Sequence, residues 1–265
     1  MRKVRPGKAY QRAAIAVALL SLLCGDAGAA GGFDPETTCE VPEEMGTTAL
    51  PLPNVAAKLK AGETVRVVVI GSASSAGMGA SSLANAYPER LAGDLGKVFP
   101  GAKFAVINLS KRGQLASDMA KRFETEVAAE HPALVIWQTG TADAVKGVDL
   151  GSFGEVLTEG IDALRKLGAD VILMNMQYSP HTSSALDTAP YRDYMRWAMQ
   201  SRSAILFHRY AMMKYWVEEG VIDFSSPAKA DQVQNDDLVH GCIAYRLARE
   251  IESAVKASDE GGAKE

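Results

Sequence analysis

Five short β-branched runs recur along the chain, separated by longer segments whose apolar residues repeat at helical spacing. Val65-Arg66-Val67-Val68-Val69-Ile70 shows little alternation, which suits a strand buried on both faces. Phe104-Ala105-Val106-Ile107-Asn108-Leu109, Ala133-Leu134-Val135-Ile136-Trp137, Val171-Ile172-Leu173-Met174 and Ala204-Ile205-Leu206-Phe207 repeat the pattern. Between them, Leu115, Met119, Phe123 and Val127 fall four apart and predict one helical stripe. Phe153, Val156, Leu157, Ile161 and Leu164 predict another. Strands alternating with helices predict an α/β fold built on a five-stranded parallel sheet covered on both faces. Any site then lies beyond the C-terminal strand ends.

The pattern fails at both ends of the chain. Residues 1–30 carry a basic front (Arg2, Lys3, Arg5, Lys8, Arg12), an apolar run from Ala13 to Leu23 and small residues at Ala27-Gly28-Ala29. The run is too short to span a bilayer, and the order of the three regions is that of a secretory signal peptide. Localisation is therefore expected to be periplasmic or secreted, with no stable membrane insertion after cleavage. Residues 31–62, with Pro35, Pro42, Pro51 and Pro53, predict an irregular N-terminal extension. Residues 63–257 form the domain, and 258–265 a flexible tail.

Composition adds little. Hydrophobic residues make up 47% and charged residues 23%, and the net charge is −4, which speaks against disorder and against a nucleic-acid partner. Cleavage would remove Cys24 and leave Cys39 and Cys242. An even count in an exported protein admits a disulfide from the extension to the last helix, or two buried thiols.

The residues following each strand are polar and glycine-rich. They are Gly71 to Gly77, Asn108 to Gln114, Gln138 to Asp143 and Asn175 to His181. Asp237-Leu238-Val239-His240 follows later, and an Asp-x-x-His pair can act as a base with its orienter. Hydroxyls, exposed turn N–H groups and such a pair are the parts of an acyl-transfer site. Glycines and serines also simply cap such loops. His131 is expected to cap a helix, His208 to be structural, and Trp137 and Trp216 to lie in the core. No His or Cys spacing suits a metal and no phosphate-binding glycine motif occurs, so no metal or cofactor is expected.

In order and spacing these blocks resemble the SGNH (GDSL-type) hydrolases over about residues 64–255. Ile70 to Gly77 resembles the Gly-Asp-Ser block, Gly113 the second-block glycine, Gly140-Thr141-Ala142-Asp143 the Gly-x-Asn-Asp block, and Asp237 to His240 the Asp-x-x-His block. The resemblance implies a flavodoxin-like three-layer α/β/α sandwich and an esterase-type hydrolase acting on small-molecule or glycan esters. It also exposes two departures. Ala73 stands at the nucleophile position and Ala142 at the oxyanion-donor asparagine. The expected catalytic set is therefore Ser72 as substitute nucleophile with Asp237 and His240. Gly113, Gly140, Ser74 and His181 are expected to bind the oxyanion or substrate. The alternative is a non-catalytic protein that uses the same cleft to hold an acylated glycan or similar ligand.

Overall fold

Each β-branched run forms a strand, and all five pair in parallel. The computed structural model describes residues 33–46 and 50–262, so the expected signal peptide lies outside the described residues. In chain order the elements are α1 (Pro35–Thr38), α2 (Pro53–Lys60), β1 (Val65–Ile70), α3 (Tyr87–Val98), β2 (Phe104–Asn108), α4 (Ala116–Ala120), β3 (Leu134–Gln138), α5 (Thr141–Lys146), α6 (Leu150–Lys166), β4 (Asp170–Met174), α7 (Pro180–Ala185), α8 (Ala189–Arg202), β5 (Ile205–Phe207), α9 (Arg209–Glu218) and α10 (Lys229–Gly262). The strand order is β2-β1-β3-β4-β5. The chain winds one way from β1 to β2, then crosses back to lay β3 on the other side of β1. That reversal opens a crevice at the C-terminal ends of β1 and β3.

Alternate strand residues face opposite helical layers, as the two-residue period requires. Val67, Val69, Ile136 and Ile172 pack with Leu91 of α3, Trp216 of α9 and Leu247 of α10. Val68, Ile70, Val135 and Trp137 pack with Met119 of α4, Phe153 of α6 and Met195 of α8. Both expected core tryptophans are fully buried. The chain thus has the three-layer α/β/α architecture.

Met119, Phe123 and Val127 of the expected stripe are buried and Leu115 is half-buried, but the stripe is not one α-helix. After α4 the chain winds as a π-turn over Phe123–Val127 and a 3₁₀ turn over Ala128–Glu130, which His131 ends in the left-handed conformation (φ 44°). A repeat of four residues drifts by about 40° per step on an α-helix, and wider winding absorbs the drift.

The expected irregular extension contains two helices. Its prolines open them: Pro35 and Pro53 each start a helix, where a missing N–H costs nothing. Asp34 caps α1 by accepting from Glu36 N–H at 3.1 Å. Asp170 on β4 does the same for α2, accepting from Asn54 Nδ2 at 2.9 Å and Val55 N–H at 3.0 Å. Cys39 and Cys242 form a disulfide with a Cα–Cα distance of 5.1 Å, which fastens the extension to α10. Trp216 Nε1 donates to Glu40 O at 3.0 Å beside it. Nor does a flexible tail begin at Ser258. Helix α10 continues to Gly262, and Ser258 Oγ accepts from Leu52 N–H at 2.9 Å.

Candidate active site

The crevice between β1 and β3 holds a cleft of about 430 Å³. Its walls come from the turn after β1 (Ser72, Ala73, Ser74, Met78), the turn after β2 (Arg112, Gly113), β3 and α5 (Gln138, Thr141, Ala142, Val145, Lys146), and Gln177 after β4. The strand-end blocks therefore meet where the fold places them. Among the described residues, no carboxylate and no imidazole lines the cleft.

The β1 turn is rigidly built. Gly71 is required because a Cβ there would lie 2.4 Å from Ser75 Oγ and 2.9 Å from Gln138 Oε1. Gln138 Oε1 accepts from Ser72 N–H at 3.0 Å and from Ser75 Oγ at 2.9 Å, tying β1 to β3. Ser75 Oγ also shares a 2.6 Å hydrogen bond with the Tyr87 hydroxyl. The backbone closes on itself through Ala76 N–H to Ser72 O and Met78 N–H to Ala73 O, both at 3.0 Å. This leaves the Ala73 methyl, with Ser72 and Ser74 on either side of it, in the cleft wall.

Asp237 and His240 are not joined as the expected base and orienter. The two lie three residues apart on one face of the continuous helix α10, but each is engaged by a different partner. Asp237 accepts from Ser81 N–H at 2.8 Å, Ser81 Oγ at 2.5 Å and Asn85 Nδ2 at 3.2 Å. It holds the turn before α3. His240 is buried, with its ring stacked on Tyr87 and its Nδ1 accepting from Tyr87 N–H at 3.1 Å. That acceptor role leaves the proton on Nε2, which lies 3.3 Å from Met78 O and donates to it. Burial, with the Arg209 charge second, pushes the imidazole down to about 4. The ring is neutral near pH 7, but neither nitrogen offers a free lone pair to the cleft.

The remaining expected residues divide. Ser72, Ser74 and Gly113 line the cleft, and Gly113 has a positive φ of 76°. Gly140 does not line it, because its N–H is turned onto Asp143 Oδ2 at 3.3 Å. His181 is exposed on α7 and also stands outside the wall. Asp143 is buried and accepts from Ala116 N–H at 3.0 Å and Thr139 Oγ1 at 3.2 Å, so it ties the β3 turn to α4. Its desolvation raises the carboxyl above its usual range.

Sequence reasoning missed Arg209. It lies 2% exposed at the start of α9. Its Nη1 donates to Ser74 Oγ at 2.8 Å and its Nη2 to Gln177 Oε1 at 3.3 Å, while Nε has no partner. Burial lowers the guanidinium to about 10. The signal was available, since Arg209 follows the fifth strand as the wall residues follow theirs.

Residues 38–257 match the non-GDSL lipase-like family. No curated protein matches the chain. Among solved structures, the chain is similar to TesA at 21% identity and a TM-score of 0.52, covering 64% of this chain and 94% of that one. It is similar to a lipase/acylhydrolase from Enterococcus faecalis at 20% identity and a TM-score of 0.56, with coverage of 71% and 95%. A variant of Axe2, an acetyl-xylooligosaccharide esterase from Geobacillus, gives 19% identity and a TM-score of 0.57, with coverage of 71% and 94%. At these identities the likeness is one of fold.

Proposed function

The chain belongs to the non-GDSL lipase-like family, as a divergent member of the SGNH type, and from that premise we propose that it binds an acyl compound or acylated glycan without hydrolysing it. The observation that carries this reading is the hydrogen bonding of His240. A serine esterase needs an imidazole whose acceptor nitrogen faces the nucleophile and whose donor nitrogen is held by an acid. Here Tyr87 N–H occupies Nδ1 and Met78 O takes the Nε2 proton. The methyl groups of Ala73 and Ala142 in the cleft support the same reading, since one replaces an attacking hydroxyl and the other an oxyanion donor.

A second reading keeps hydrolysis, with Ser74 as nucleophile. It is favoured by one contact, the 2.8 Å hydrogen bond from Arg209 Nη1 to Ser74 Oγ, which would stabilise an alkoxide. It lacks a base. Labelling with an aryl fluorophosphonate, read by intact mass, separates the two. The binding reading expects no adduct on any serine. An adduct mapped to Ser72 or Ser74 would establish the hydrolase.

The proposed site of action is the periplasm or the medium. The Cys39–Cys242 disulfide supports it, because such bonds persist in oxidising compartments. The basic, apolar and small-residue order of residues 1–30 supports it too. Intact mass of the exported protein should begin near Ala30 or Gly31. A mass that retains Met1 to Ala29 contradicts export by cleavage.

A further inference from the structure

Three cations surround the cleft, and none has an acidic partner among the described residues. Arg112 and Lys146 stand exposed at its rim. Arg112 Nη2 donates only to Met78 Sδ, at 3.0 Å. Arg209 sits one layer behind the wall. Among the described residues, every ion pair lies elsewhere. A buried guanidinium with no counter-ion is costly to keep, and natural chains retain such groups where a ligand uses them.

The hydrogen-bond polarity of the wall agrees. Ser74 Oγ and Gln177 Oε1 are spent accepting from Arg209, so the Ser74 hydroxyl proton and the Gln177 amide N–H₂ remain as donors. Gln138 is oriented the same way, since its Oε1 accepts from Ser72 N–H and Ser75 Oγ. Thr141 lines the cleft, and its Oγ1 is buried with no hydrogen-bond partner among the described residues. The wall therefore carries side-chain donors and, among the described residues, no acidic group. Its other surface is aliphatic: Ala73, Ala142, and the exposed side chains of Met78 and Val145.

Resting on the binding reading above, we infer that the ligand is a carboxylate on an aliphatic body. Arg112 and Lys146 meet the anion at the rim, and Arg209 acts through Ser74 and Gln177 as a positioning residue. The alkyl portion lies on Met78 and Val145.

Calorimetric titration of the purified protein tests this with butyrate, its neutral counterpart butyramide, and glucuronate as a carboxylate on a polar body. Butyrate should bind, and weaken as salt is raised, because its partners at the rim are exposed. Arg112→Ala with Lys146→Ala should weaken it by several-fold to about tenfold, as loss of two exposed partners implies. Arg209→Met should weaken butyrate as well, yet leave the melting temperature of the unliganded protein unchanged or higher, since a buried charge without an acidic counter-ion is removed and the Ser74 and Gln177 side chains can turn to the open cleft. A purely structural Arg209 would lower that temperature instead. Butyramide binding as tightly as butyrate, or a rim double variant with unaltered affinity, overturns the charge inference while leaving the cleft a ligand site. Glucuronate outbinding butyrate overturns the aliphatic half. If none of the three binds, the inference falls, and the same titration with methyl butyrate, a neutral ester, then decides the binding reading separately.

Discussion

His240 folds uncharged because Tyr87 N–H occupies its Nδ1 and burial disfavours the cation. Its folded value of about 4 lies below the ordinary histidine value of 6.5. A base depressed in this way contributes fully above the unfolded value and loses that contribution as pH falls toward the folded one. Stability should therefore drop by roughly 2–3 kcal/mol between pH 7 and pH 4.5 through this group. Asp143 and Asp170, raised by burial, push in the opposite direction over the same range. The comparison with His240→Asn cancels them, since Asn Oδ1 can still accept from Tyr87 N–H. Denaturant unfolding at the two pH values should show a smaller acid loss in the variant. An equal loss would show that His240 is not buried neutral. The Asp-x-x-His spacing was visible in the sequence, but its hydrogen bonds were not. Spacing puts two side chains on one helix face, whereas the turn at Ser81 to Asn85 takes Asp237 as its own acceptor in place of His240.

Strands were the most legible elements. A chain covered on both faces must be apolar throughout, and β1 was placed at Val65–Ile70 from that pattern alone. Helical packing was less legible because it depends on distances between elements, as the glycines show. Gly160 on α6 lies against Trp137, and a Cβ there would come within 2.6 Å of the indole ring. Gly93 and Gly96 on α3 are exposed with nothing within 4 Å of an added Cβ. Helix propensity favours alanine at all three by up to about 1 kcal/mol. At Gly160 overpacking against a buried ring costs about 1–3 kcal/mol and should reverse the sign. Thermal unfolding should rank Gly93→Ala and Gly96→Ala above wild type and Gly160→Ala below it. A stabilised Gly160→Ala would mean that α6 and β3 are less tightly apposed than described. Prolines misled for a related reason. Pro35 and Pro53 punctuate the sequence as breaks, yet each sits at a helix start.

The chain closes on itself around α10, which carries Cys242, His240 and the Ser258 contact with the extension. The cysteine pairing was left open by the sequence because an even count does not fix proximity. The disulfide spans 203 residues, and loop-closure entropy for that length is worth at most about 5 kcal/mol. Cys39→Ser with Cys242→Ser should lower the denaturation midpoint markedly in the oxidised comparison and abolish the effect of reductant. A midpoint unmoved by the double substitution would show the link to be energetically idle. The cleft's position followed from topology, since it lies where the strand order reverses. Its donors and their missing acids did not, because a counter-ion's absence can be seen only in space. The central claim is that this cleft binds and does not hydrolyse. Steady-state turnover of p-nitrophenyl acetate tests it most directly, comparing wild type with Ser72→Ala, Ser74→Ala and the double substitution Ala73→Ser with Ala142→Asn. All four should match the buffer rate, because without a free imidazole acceptor the restored serine has no base. Wild-type turnover well above buffer that is lost in Ser72→Ala or Ser74→Ala would contradict the account.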